Sequence, residues 1–262
     1  MRFGVCEGTN NLGIIVDAGY DYVELSVAGH LAPEKPESEV LPALEKALNA
    51  ASIRAEAFNG FLPGDLRVTG EGVDPERQKA YVASACKRAA ALGGKSIVFG
   101  SGGARQVPDG FDRNVAYRQI REFLLRAGDA AAANGIVIAI EPLNVTECNI
   151  LNSVAESTEV ATQVNHKAVQ VLSDFYHVDH DGQSYDETAL AGKLLRHVHI
   201  ASPGNRKNPV AADIPILTEY FRALRKAGYD QRISIECGWP DFAKDAASSL
   251  DVVRKAWAAS AA

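Results

Sequence analysis

Cysteine is sparse and scattered. Cys6, Cys86, Cys148 and Cys237 lie far apart and form no CxxC pair. That spacing excludes a dense disulfide framework and gives no paired metal or redox motif, so four core cysteines in a reducing, cytoplasmic setting are expected. Long apolar runs are missing too. A stretch such as Gly135 to Ile140 falls far short of the roughly 20 residues that span a bilayer. No signal peptide is expected, because RFGVC at the N-terminus already reads as structure. Nor is there an excess of positive charge. The 27 Lys and Arg against 33 Asp and Glu leave a net charge of −6, which argues against a strongly basic face for nucleic acid. No GxGxxG follows the first β-rich run and no GxxxxGK[ST] occurs anywhere, so two common phosphate-binding loops are absent. What remains is an ordinary globular composition, 47% hydrophobic and 23% charged over 262 residues. That length buries enough surface to fold without a disulfide or metal staple.

The informative feature is a rhythm. Eight short β-rich runs read as strands at 2–6, 21–27, 53–58, 96–100, 136–141, 168–174, 195–201 and 232–237. Helical stretches follow at 10–18, 37–51, 75–93, 112–134, 153–165, 186–195, 213–227 and 242–258. Asp74-Pro75 supplies an N-cap and a proline in the first turn, and Gly19, Gly93, Gly135 and Gly228 stand where helices should stop. AGYDYVEL, LGGKSIVF, NGIVIAIE and AGYDQRISIE share one stop-to-strand form, which hints at an internal repeat. Strand–helix alternation implies a parallel sheet with right-handed crossovers. Eight units in this length favour a single (β/α)8 TIM barrel spanning 1–262. An open doubly wound sheet is the alternative, weakened by the missing nucleotide fingerprints. The segments 59–73 and 101–111 follow strands and would lie over the barrel's C-terminal mouth.

Active sites of such barrels sit at that mouth. The residues closing strands five to eight are Glu141, Asp174, His199 and Glu236. In IVIAIE the isoleucines share one face, leaving Val137, Ala139 and Glu141 on the other. The same alternation sets Glu236 against Ile233 and Ile235, and His197 and His199 against Val198 and Ile200. The aliphatic faces suit the outer helices, which turns the carboxylates and imidazoles inward. The strand before Asp174 is apolar on both faces and leaves its direction open. Three carboxylates crowded in a low-dielectric mouth are costly, and a divalent cation resolves that cost. The mostly hard-oxygen donor set suits Mn²⁺ or Mg²⁺, with Co²⁺, Fe²⁺ or Zn²⁺ compatible.

With these motifs in order, IAIEPLN (138–144), SDFYH (173–177), HVHIA (197–201) and SIEC (234–237), the chain resembles the xylose-isomerase-like barrels called sugar phosphate isomerases/epimerases. Ketose 3-epimerases of the D-tagatose 3-epimerase type and hydroxypyruvate isomerase are characterised members. The resemblance covers essentially the whole chain. It implies one divalent metal held by Glu141, Asp174, His199 and Glu236, with Glu141 and Glu236 also serving as the acid/base pair. It implies substrate contacts from Glu147, His177 and Arg206. The reaction implied is proton transfer next to the carbonyl of a keto-sugar through an enediolate. The implied partner is a small sugar, with no nucleic acid and no membrane, and a homo-oligomer, dimer or tetramer, is compatible.

Two departures bear on the substrate. Arg206 stands seven residues after His199, where the epimerases place it six after, and ASPGNRKNP is similar instead to a segment of hydroxypyruvate isomerase. That enzyme carries glutamine at the position of His199. The alternatives are therefore a hydroxypyruvate-type aldose–ketose isomerase and a metal-dependent lyase or dehydratase on a keto-sugar or keto-inositol. An abasic-site endonuclease would need more strand-end histidines and a basic groove. A non-catalytic sugar-binding barrel would not need both glutamates. Among other residues, His197 reads as a hydrogen-bonded core histidine, His180 as a loop residue and His166 as a helix-terminus cation. Glu7 and Asn59 are open between substrate contact and structural bonding, and His30 and Trp239 could wall the site. Arg105 and the glycines of 99–111 would suit a loop closing on a polyol or phosphate.

Overall fold

The computed structural model describes residues 1–261. Its eight strands are β1 (Arg2–Cys6), β2 (Tyr22–Ser26), β3 (Ala55–Asn59), β4 (Ser96–Phe99), β5 (Val137–Ile140), β6 (Val169–Asp174), β7 (Leu195–Ile200) and β8 (Arg232–Ile235). They close into one barrel in sequence order. The seam is parallel, with Phe3 opposite Ile233 and Val5 opposite Ile235. The helices are α1 (Leu12–Ala18), α2 (Glu37–Ala50), α3 (Pro75–Ala91), α4 (Gly102–Arg105), α5 (Arg113–Ala133), α6 (Val154–Val164), α7 (Phe175–His180), α8 (Tyr185–Ala191), α9 (Ile214–Lys226) and α10 (Phe242–Ala259). Among the described residues no helix is long and apolar enough to cross a membrane.

Local chemistry sets the starts of these helices. The Asp74 carboxylate accepts from the backbone N–H of Arg77, 3.0 Å away, and Pro75 needs no donor there. Asp112 caps α5 and Asp241 caps α10 in the same way. The main core lies between the outer faces of the strands and the helices, where Ile97, Ile138, Ile140, Val198, Ile233 and Ile235 are buried. A separate small cluster of Val98, Ala139 and Leu172 fills the barrel interior below β4, β5 and β6. The interior of the other half is polar: Tyr22, Glu24, His197 and Ser234 are all buried there.

The barrel mouth is layered by the two long segments. The Val68 N–H donates to the Ala104 carbonyl (2.8 Å) and the Leu62 N–H to Ser101 Oγ (3.0 Å). Arg105 does not reach the solvent side of this layer. It is wholly buried, donating to the carbonyls of Phe99 (2.8 Å) and Leu151 (3.3 Å) with its guanidinium over the Phe99 ring. The expectation of a loop arginine closing on a ligand is corrected: a cation surrounded by carbonyls and an aromatic face ties loops together and is closed to a phosphate.

Candidate active site

The last turn of each C-terminal strand delivers one side chain to the mouth. Glu141 directly follows β5, Asp174 ends β6, His199 is the penultimate residue of β7 and Glu236 directly follows β8. One ligand atom from each lies within 4.8 Å of every other. His199 Nδ1 is 2.9 Å from Glu141 Oε1 and 3.4 Å from Glu236 Oε2. Asp174, whose direction was open in the sequence, points inward: one carboxylate oxygen caps α7 at the Tyr176 N–H (2.8 Å), while the other is buried without a hydrogen-bond partner. Gly100 makes room for Glu141, since a Cβ there would overlap its Oε2.

The three further residues named from the sequence join the same cluster. Arg206 Nη2 donates to Glu236 Oε2 (2.8 Å) and stands 3.8 Å from Asp174 Oδ2. Its Nη1 donates to Glu147 Oε1 (3.1 Å), and its guanidinium lies over the Tyr176 ring. His177 is buried, with Nε2 3.5 Å from Asp174 Oδ2. Its Nδ1 accepts from the backbone N–H of Asn144 (3.2 Å), and the Asn144 amide also donates to Glu147 Oε1 (3.0 Å). Asn59 donates to Glu236 Oε1 (2.8 Å), which resolves its open reading toward holding that carboxylate.

Electrostatics separate the acids. Burial pushes the Glu141 and Asp174 carboxyls up, opposed by His199 and by His177 respectively. Burial also works against an ionised Glu236, yet His199 and Arg206 hold its carboxyl below the usual range. Burial disfavours a charged His199, but Glu24 and Glu236 outweigh it and raise the imidazole well above its ordinary value. Burial lowers His177. The donor set therefore fits a cation: three carboxylates and one imidazole, with a buried carboxylate oxygen that no protein donor satisfies.

The remaining histidines resolve as follows. His197 is a hydrogen-bonded core residue, 2.8 Å from Glu24. His180 ends α7 against Asp181, and His166 stands 3.4 Å from Asp129 of α5. His30 accepts the Ser26 N–H at Nδ1 (3.1 Å), and Trp239 packs edge-on against Phe242. Glu7 accepts from the Gly8 N–H. Asn144, Tyr176 and Glu24 stand at the site without being singled out in the sequence, and Glu24 is the deepest of them, on β2. Its signal was the inward face of β2, where Tyr22 and Glu24 alternate with Val23 and Leu25.

The family described as "Xylose isomerase-like TIM barrel" matches residues 12–256. A 3-dehydro-D-guloside 4-epimerase of Escherichia coli K12 is 32% identical over 102 residues, 38% of this chain and 38% of the relative. A 2-oxo-tetronate isomerase of Cupriavidus necator is 27% identical over 205 residues, 74% of this chain and 75% of the relative. The chain spans about two-fifths of the length of the first curated relatives it matches. Among solved structures, a D-psicose 3-epimerase with D-tagatose from Clostridium cellulolyticum H10 superposes with a TM-score of 0.84 at 20% identity, covering 98% of this chain and 99% of that one.

Proposed function

We propose that this chain, which belongs to the xylose isomerase-like TIM barrel family, is a divalent-metal-dependent sugar epimerase or isomerase. It would move a proton on the carbon next to the carbonyl of a keto-sugar. The observation that carries this reading is the convergence of Glu141, Asp174, His199 and Glu236 around a buried, unpartnered carboxylate oxygen. Relatives named as an epimerase and an isomerase support the reaction class.

Glu141, Asp174, His199 and Glu236 would hold the cation. When bound, it would supply Lewis-acid polarisation of the substrate carbonyl and neighbouring hydroxyl, with Mn²⁺ or Mg²⁺ best suited to the donor set. Glu141 and Glu236 come from strands three positions apart in a ring of eight, so they face a central carbon from nearly opposite sides. One takes the proton as the enediolate forms, and the other returns a proton to the opposite face. Asn59 and Arg206 hold the two oxygens of Glu236 and fix its orientation. The backbone N–H of Asn144 can only donate, so neutral His177 keeps its proton on the buried, unpartnered Nε2. That N–H is a donor for a substrate oxygen beside Asp174. Arg206 and Glu147 pair across the mouth and offer polar contacts to a polyol.

The test is incubation of the Mn²⁺-loaded protein in deuterium oxide with free and phosphorylated ketoses, keto-glycosides and keto-inositols. Mass spectrometry and NMR then locate label and product. An epimer labelled at the inverted carbon supports the epimerase reading, and an aldose product supports the isomerase. An eliminated product moves the assignment to the lyase. Neither label nor product across the panel, from protein that holds the metal, overturns the proposal.

A further inference from the structure

The barrel interior beneath the candidate metal cluster is unusual in one half. TIM barrels fill these layers mainly with branched aliphatic side chains, as Val98, Ala139 and Leu172 do below β4 to β6. The half formed by β1, β2, β7 and β8 instead holds a continuous polar chain. Tyr22 Oη lies 2.8 Å from Ser234 Oγ, and Ser234 Oγ donates to Glu24 Oε2 at 2.6 Å. His197 Nε2 stands 2.8 Å from the same oxygen, and His199 Nε2 stands 2.9 Å from Glu24 Oε1. Glu24 is 1% exposed, and the two histidines and Ser234 are 0% exposed. Gly4 is part of the arrangement, because a Cβ there would overlap the Tyr22 ring.

The donors all run one way. A serine hydroxyl and two imidazoles converge on one carboxyl group, an arrangement that suits an acceptor-only carboxylate. Each imidazole then carries its proton on Nε2. For His199 this leaves Nδ1 as the nitrogen that faces Glu141 and Glu236 and that would lose its proton to a bound cation. Packing alone would be served by apolar side chains, and a buried carboxylate is costly to desolvate. The chain of donors meets the cluster at the mouth through His199.

We propose that Glu24 is a positioning residue: it accepts the Nε2 proton of His199, fixes the tautomer and ring orientation, and so turns Nδ1 into the cluster of Glu141, Asp174 and Glu236. The inference rests on the metal reading given above. Histidine ligands commonly donate their second ring N–H to a carboxylate in this manner.

The test compares Mn²⁺ affinity, by calorimetric titration against a competing chelator, for the wild-type protein, Glu24→Gln and Leu124→Ala. Leu124 is buried in α5, so its loss weakens the fold without touching the site. The expected result is a loss of roughly 10- to 100-fold for Glu24→Gln. Leu124→Ala should melt lower in chelator yet bind within about twofold of wild type. Equal affinity for Glu24→Gln and wild type overturns the inference, as does an equal loss in Leu124→Ala. If Glu24→Gln does not fold, ¹⁵N NMR of the Zn²⁺-loaded wild type decides. A proton on His199 Nε2 with Nδ1 unprotonated supports the inference, and a proton on Nδ1 overturns it. A wild-type protein that binds neither Mn²⁺ nor Zn²⁺ sinks the metal reading itself, a separate failure from normal binding by Glu24→Gln.

Discussion

Gly100 and Glu236 allow function to be separated from stability one side chain at a time. A Cβ at Gly100 would overlap the end of the Glu141 side chain, which can swing away, while its other neighbours are at ordinary contact distance. Gly100→Ala should therefore keep a near-wild-type unfolding midpoint while displacing one carboxylate of the cluster. Turnover and metal affinity should each fall at least roughly tenfold, within the range for disturbed metal-site residues. Unchanged metal affinity would refute the crowding argument. Glu236→Gln keeps the shape of the side chain and removes its proton chemistry. Turnover should drop at least roughly 10²-fold with the circular dichroism spectrum unchanged, and near-wild-type turnover on the true substrate would remove Glu236 from the acid/base pair. At this scale the sequence was readable where alternation was clean. Glu141, His199 and Glu236 sit opposite isoleucines and valine, and the inward direction follows. Asp174 closes a strand apolar on both faces, so its place at a strand end marks it as a candidate but its pattern carries no direction. Glu24 escaped because the strand-end reading took the last inward residue of each strand, and Glu24 lies one layer deeper.

Elements were legible where caps and glycines punctuate them and blurred where a turn uses the strand's own residues. The β-rich run of β2 extends to Val27 in the sequence, but the chain leaves the sheet after Ser26, whose hydroxyl accepts from the Gly29 N–H and turns the backbone. The helix read at 186–195 ends at Ala191, because Gly192 adopts φ 51° and a short turn leads into β7. α7 is only six residues long and begins at the cluster residue Asp174, which caps it. Six residues give too little periodicity to announce a helix. The segment after β4 gave the one substantial misreading. Its arginine is internal, and α4 is held by that side chain bridging the Phe99 and Leu151 carbonyls. Arg105→Ala strands both acceptors and leaves a cavity, so the expected cost is about 3 kcal/mol. Urea unfolding followed by fluorescence measures it. A cost below about 0.5 kcal/mol, the level of an ordinary surface change, would show that the buried arginine does not tie these loops together.

For the whole molecule, closure of eight parallel strands brings four strand ends to one point, and the cost of that convergence should appear as metal-linked stability. A ligand that binds only the folded state at 100 times its Kd adds about 2.7 kcal/mol, which for a chain this size corresponds to a rise of roughly 5–10 °C in Tm. Chelation should reverse that rise, and readdition of Mn²⁺ should restore it. The size of the effect should depend on pH with a definite sign. In the metal-free protein burial disfavours charge on His199, but Glu24 and Glu236 raise it well above its ordinary value. Such a group stabilises the metal-free fold fully below its unfolded value of about 6.5, and that contribution is lost as pH rises through the raised folded value. Metal must displace that same proton from Nδ1, so acid favours the metal-free form. The gap in Tm between Mn²⁺-loaded and chelated protein should therefore widen as pH rises toward the raised folded value of His199. Differential scanning calorimetry at a series of pH values measures this gap. A gap that stays constant or narrows with rising pH would mean that His199 keeps the same protonation with and without metal, and His199 would have to leave the ligand set.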